Sequence, residues 1–210
     1  MRSSWVNDEV IKLVLAAMMP PNRLALEISE ATGLRIDDVL SLKTELVERT
    51  ARPYVVDSKT GKRHRVYFPA ELREKMLRQA GKVWIFPGRS KPNIRHRTRQ
   101  AVHKDMIKAA KIFKRNGTLE RETNASPHSM RKRAAVRAYH RGGLDAAADL
   151  LMHSEGDDLV TMIYALADTP ELVPRTRRRK KASAKTTGGK KGVCKTGRKH
   201  TAQRTHHARA

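Results

Sequence analysis

The chain has 210 residues, with 45 Lys or Arg against 21 Asp or Glu and a formal net charge of +24. That length suits one well-filled core and is short for two, and such a charge selects a polyanionic partner, nucleic acid before an anionic membrane surface. A single cysteine, Cys194, excludes an internal disulfide framework and a cysteine-based zinc site. No apolar run approaches the roughly 20 residues of a membrane span and the N-terminus lacks the apolar core of a secretory signal, so a soluble intracellular protein is expected.

Val6, Val10, Ile11, Leu13 and Val14 recur at helical spacing and predict a helix from about Asn7 to Ala17, ended by "MMPP" because proline cannot continue a helix. A second helix is expected over Arg23 to Ala31, stopped by Gly33, and a third over Arg35 to Lys43 with Ile36, Val39 and Leu40 on one face. In "PYVVDSKTGKRHRVYFP" two β-rich runs, Tyr54 to Asp57 and His64 to Phe68, flank a glycine-containing turn and read as a hairpin. "AELREKMLRQAG" reads as a short helix, "VWIFPG" as an extended piece and Ile94 to Arg115 as a long basic helix. Pro127 opens another helix, and "GLDAAADLL" and "DDLVTMIYALA" read as two more. The fold class is therefore α+β, a mostly helical domain over residues 1–174 with a small antiparallel hairpin.

Residues 175–210 carry 14 Lys or Arg and no acidic residue, which leaves 31 basic against 21 acidic residues, a net +10, in the first 174. The last segment has too little apolar content to fold alone and is expected to be a disordered basic tail.

Several residues are placed for chemistry. Ser126 is a good N-cap and Pro127 suits the first helical position, so His128 and Arg131 share a face in the first turns of a helix, where free N–H groups and the dipole already attract anions. A phosphate pocket and a solvated basic helix start are both open readings of that pair. Lys132 and Arg133 beside it read as solvated charge or backbone contacts. Arg35, after the Gly33 stop, puts a cation where the helix dipole opposes it. Asp37 and Asp38 could compensate it, or it is a phosphate ligand. Lys59 stands where the first strand enters the turn "KTGK", with Lys62 across the turn as the competing candidate. Leu159, Met162, Ile163 and Leu166 form an apolar stripe, and Tyr164 points about 150° from its centre at 100° per residue. A tyrosine there packs on another element or sits in a cleft, where nearby cations make it a nucleophile. His153 ends the preceding helix in "LMHSEG".

Together these residues resemble the catalytic domain of the tyrosine recombinases, the phage-integrase type, from about Asn7 to Asp168. "LALEISEATGLRIDDVLSLK" resembles the family's first-arginine segment, with Arg35 in the arginine slot and Asp38 where an acidic residue is usual. "VVDSKTGKRHRVYFP" is similar to its β-hairpin, with Lys59 in the lysine slot. "HSMR" resembles its histidine–x–x–arginine box, giving His128 and Arg131. "LLMHS" gives His153, with Met152 where glycine is usual, and "TMIY" gives Tyr164, a little farther from His153 than is common.

The resemblance implies a site-specific recombinase or integrase that cuts and rejoins DNA through a 3′-phosphotyrosyl intermediate. Tyr164 would be the nucleophile, Arg35 and Arg131 would clamp the phosphate, and Lys59 would protonate the leaving oxygen. His128 would assist deprotonation of Tyr164, and His153 would donate a hydrogen bond to the phosphate. Two guanidinium groups would do what metal ions do elsewhere, so no metal and no cofactor is implied. The implied partners are double-stranded DNA and a homotetramer assembled on it, with "ALADTPELVP" as a candidate contact between neighbours, and no membrane. The implied location is cytoplasmic, with the nucleoid of a bacterium or a phage-infected host.

The family usually has a helical DNA-clamping domain ahead of the catalytic one. A fragment, a minimal enzyme, and one served by an accessory protein or separate clamping domain are the three open readings here. Composition alone equally fits a non-enzymatic or decayed-integrase basic DNA-binding protein. The chemistry is shared with type IB topoisomerases, and a ribosomal-type RNA binder is a further class.

Overall fold

The computed structural model describes residue 6 and residues 8–89 and 95–151 of the chain. These form seven helices and one hairpin in the order α1 (Asp8–Ala16), α2 (Pro20–Thr32), α3 (Ile36–Leu40), α4 (Thr44–Arg49), β1 (Tyr54–Val56), β2 (Arg63–Arg65), α5 (Ala70–Gln79), α6 (Arg99–Arg115) and α7 (Pro127–Leu151). The fold is thus mostly helical with one small antiparallel sheet, as the sequence predicts. No helix among the described residues is long and apolar enough to cross a membrane.

Helix α2 is the hub, in contact with α3, α5, α6 and α7. It begins earlier than expected, because Pro20 and Pro21 occupy its first turn, where a missing N–H costs nothing. It ends on Gly33, whose φ of 72° is left-handed and whose N–H returns to the Ser29 carbonyl at 2.9 Å. A side chain there would meet a second obstacle, since a Cβ on Gly33 would lie 2.8 Å from Leu150 Cγ. This glycine therefore both stops α2 and lets the end of α7 approach it.

The third helix is shorter than its expected span over Arg35 to Lys43. The Leu42 carbonyl accepts from the Ile85 N–H at 3.0 Å, and the Thr44 N–H donates to Val83 at 3.1 Å. This ladder draws residues 42 and 43 out of the helix, and an additional helix, α4, begins at Thr44. The "VWIFPG" piece is extended as expected, pairing Trp84 with Lys43 and Pro87 with His96 rather than forming a full strand. The same pairing keeps the residues around His96 out of the helix, so α6 starts at Arg99. Its cap is the Thr98 hydroxyl, which accepts from the Ala101 N–H at 3.3 Å.

In the hairpin, Tyr54 faces Arg65, Val55 faces His64 and Val56 faces Arg63. Val55 is buried while Tyr54 and Val56 are exposed, the alternation of a half-buried ribbon. Helix α7 is broken at Gly142 and Gly143, the latter at φ 75°, so the two expected helices meet there. Phe68, Phe86, Met76, Met106 and Met130 fill the core between the hairpin, α5, α6 and α7.

Candidate active site

Helices α6 and α7 and the α2–α3 junction enclose a cavity of about 420 Å³, lined among others by Ser29, Arg35, Arg99, His103, His128 and Arg131. Three of the six residues singled out in the sequence, Arg35, His128 and Arg131, are thus brought to one place from positions up to 96 residues apart. His153, Tyr164, the "ALADTPELVP" segment and the basic tail lie outside the described residues.

Arg35 occupies the N-cap position of α3 in an extended conformation. Its guanidinium, 26% exposed, pairs with the Asp57 carboxylate, which is 1% exposed. Neither neighbouring acid serves it. Asp37 pairs with Arg99 at 3.2 Å, and Asp38 accepts from the Ser58 N–H at 3.0 Å. The other Asp57 oxygen accepts from the Lys59 and Thr60 N–H groups at 2.9 and 2.8 Å, the turn geometry that aspartate favours. One buried carboxylate therefore ties Arg35 to the backbone of the residue in the lysine slot, and Asp38 ties the residue before it, Ser58, back to α3. Lys59 itself is exposed on the turn, and neither it nor Lys62 lines the cavity.

Arg131, 3% exposed, donates to the Gly33 carbonyl and, at 2.5 Å, to the Leu151 carbonyl. These are terminal carbonyls of α2 and α7, groups a helix leaves unsatisfied and a cation suits. The contact holds the guanidinium against the cavity. It also fixes the backbone two residues before His153 and two residues before Arg35. The N-terminus of α7 is braced by Ser129, whose hydroxyl accepts from the Ser126 N–H at 3.3 Å.

His128 is exposed at the cavity mouth, yet its pKa is pushed down to about 4. The largest cause is burial of the ring in its packed surroundings, followed by the charges of Lys132, Arg131 and Arg35. Water screens part of this at an exposed residue, and the direction is what the chemistry uses: the imidazole is neutral at physiological pH. His64 on β2 is also held below the ordinary histidine value, chiefly by burial and then against the pull of Asp38.

Arg133 differs from the solvated charge or backbone contact expected of it. It is 2% exposed, binds Asp8 at 2.5 Å and Glu30 at 3.0 Å, and donates to the Val6 carbonyl at 3.1 Å. A buried guanidinium needs such partners, and the sequence around it does not show that Asp8 and Glu30 converge there. Among the described residues, no cluster of three or more His, Cys, Asp or Glu side chains could hold a metal ion.

The sequence model of the phage integrase family matches residues 4–170. The chain belongs to the phage integrase family. A solved lambda integrase fragment (residues 75–356), a dimer bound to a COC′ core site, superposes with a TM-score of 0.63 at 22% identity, covering 83% of this chain and 63% of that one. The XerH site-specific recombinase bound to a palindromic difH substrate gives 0.58 at 19%, covering 79% and 50%. The Tn1549 transposon integrase with a circular intermediate DNA gives 0.59 at 15%, covering 78% and 62%. The chain thus spans about half to two thirds of the length of these structures. No curated protein sequence matches it. The mostly helical fold with its two-stranded sheet is that of a tyrosine recombinase catalytic domain.

Asp57 was missed as a site residue in the sequence because its role is tertiary. Its local signal is the "DSKTG" run, which reads as an aspartate turn holding Lys59.

Proposed function

We propose that this integrase-family chain is a tyrosine-type DNA recombinase that cuts and rejoins duplex DNA through a 3′-phosphotyrosyl link. The observation that carries the reading is the cavity where Arg35, Arg131 and a neutral His128 converge. Charge grows on the non-bridging oxygens when phosphorus is attacked, and two guanidinium groups held by Asp57 and by backbone carbonyls suit that charge.

In this scheme the Tyr164 Oη attacks phosphorus and the bond to the 5′-oxygen breaks, leaving the phosphoryl group on tyrosine. The phenol proton passes to His128, whose depressed pKa leaves a ring nitrogen able to accept it. The departing 5′-oxygen takes a proton from Lys59, and the link conserves the bond energy for rejoining. His153 donates a hydrogen bond to the phosphate. Asp57 is a positioning residue, since it fixes both Arg35 and the backbone under Lys59.

Lambda integrase has been solved as a tetramer bound to a Holliday junction, and four copies of this chain on DNA are part of the same proposal. A separate clamping domain or accessory protein would complete the grip on the duplex.

The test is incubation of the full chain with a nicked duplex, followed by denaturing electrophoresis. The reading expects an SDS-stable protein–DNA complex that Tyr164→Phe abolishes. No complex with the native chain, or one that survives the substitution, would sink it.

A further inference from the structure

A second cavity, about 530 Å³, lies on another face of α6, lined by Arg89, Arg95, Arg97, Lys104, Asp105 and Lys108 and closed by Asn22 and Met19. It shares no lining residue with the first cavity. The loop ladder builds it. The Gly88 N–H donates to the Arg95 carbonyl at 2.9 Å and the Arg97 N–H to Phe86 at 2.7 Å, which sets Arg89, Arg95 and Arg97 beside the first turns of α6.

The cavity is charged and uncompensated. Its one carboxylate, Asp105, is already used, with the same oxygen accepting from the Met19 N–H at 3.0 Å and from the Asn22 amide at 2.6 Å. None of the five cations has an ion pair among the described residues. Arg97 is the sharpest case. It is half-buried, its Nη1 donates only to the neutral Asn22 carbonyl oxygen at 3.1 Å, and its Nε is buried without an acceptor. Burial and then the neighbouring Arg89 charge work against it, more than Asp105 relieves it. The same chain gives the buried Arg133 two carboxylates. A desolvated guanidinium beside another cation, with a donor left over, is built for an anion that comes from outside.

We propose that this cavity binds a phosphate group, supplied by the DNA backbone at a point away from the one being cut. The inference rests on duplex DNA being the partner, and it adds an anchoring site on the far side of α6 from the reacting phosphate. With a phosphate at each of two faces, α6 would be pressed along the duplex between them.

The experiment uses the full chain and two readouts. The first is duplex affinity against salt for Lys104→Gln and Lys108→Gln, with Lys12→Gln on α1 as the control. Both are exposed lysines whose loss leaves the core intact. Each is expected to lower the log–log salt slope by about 0.9, the value of one lost phosphate contact, and the control to leave it unchanged. The second is the Arg97 Nε–H resonance, followed while duplex DNA or inorganic pyrophosphate is added. A shift with both agents, or with duplex alone, together with the slope change, supports the site. A shift with pyrophosphate alone, with unchanged slopes, assigns the cavity to small free phosphates and overturns the DNA assignment. No shift with either agent overturns the proposal outright. The covalent assay keeps the two readings apart. Cleavage at Tyr164 with unchanged slopes defeats this site alone, whereas slope losses without any covalent complex leave the site standing and defeat the chemistry.

Discussion

Arg131 and Arg133 sit two residues apart on one helix, are almost equally buried, and have opposite surroundings. Arg133 faces Asp8 and Glu30, with Arg137 also bound to Glu30 at 2.9 Å, so two cations meet two carboxylates and the cluster is closed. Arg131 faces two backbone carbonyls and an open cavity that also holds Arg35 and His128. A balanced cluster holds a fold together. The second cluster instead borders an open cavity that a ligand can enter. The difference lies in which residues converge from other helices, not in the arginines or in their helix.

That contrast can be broken first through stability. Arg133→Met leaves Glu30 with Arg137 alone and should cost about 3 kcal/mol in urea unfolding, the low end for a broken buried pair because one partner survives. Cleavage per folded molecule should stay intact. A large loss of cleavage with unchanged unfolding would reverse the roles assigned to the two arginines.

Arg35→Lys should show the opposite pattern. The charge beside Asp57 is kept, so the unfolding midpoint should hold, while the planar fork is lost and single-turnover cleavage should fall roughly 10²- to 10³-fold. A fall of less than a few-fold would remove Arg35 from the site.

Asp57→Asn sharpens the contrast at the hairpin. Asparagine keeps the acceptor for the Lys59 and Thr60 N–H groups but gives up the charge that fixes Arg35. Cleavage should fall about tenfold, the scale of a charge-assisted hydrogen bond. A substrate whose 5′-bridging oxygen is sulfur leaves without a proton. It should rescue Lys59→Met and fail to rescue Asp57→Asn. Rescue of both would place the work of Asp57 at the lysine rather than at Arg35.

The mildest effect concerns acid. His128 is neutral in the fold down to about pH 4, while in the unfolded chain it takes up a proton near the ordinary 6.5. As pH falls through that window the unfolded state binds more protons, so stability should decline from about pH 6.5 towards 4. His128→Asn should flatten part of that decline. An unchanged acid limb in the unfolding curves would mean that the ring titrates alike in both states.

Much of the fold is legible in the sequence. Periodicity and proline or glycine stops placed α1, α2, α5 and the break in α7, and the glycine turn placed the hairpin. Arg35, His128 and Arg131 each lie in the first turns of a helix, which left them open as phosphate ligands, and the resemblance to the tyrosine recombinases singled them out; the structure brings the three to one cavity. The rest depended on contacts between distant segments. The ladder from Leu42 and Thr44 to Val83 and Ile85 cut α3 short, and no local propensity encodes it. Asp57 looked like a turn former and is also the partner of Arg35. Arg133 looked like surface charge because Asp8 and Glu30 are more than 100 residues away from it. Arg97 and its cavity carried no motif at all.

The central claim, that the reacting phosphate sits among Arg35, His128 and Arg131, is tested most directly by the His128 ring itself. Its titration can be followed by NMR in the Tyr164→Phe chain, free and saturated with nicked duplex. The account predicts a pKa near 4 in the free chain, held down by burial and then by the Lys132, Arg131 and Arg35 charges, and a clear upward shift on DNA, because a phosphate in the cavity adds a negative charge beside the ring that favours its protonated form. A titration that is the same with and without bound duplex would show that the phosphate is elsewhere.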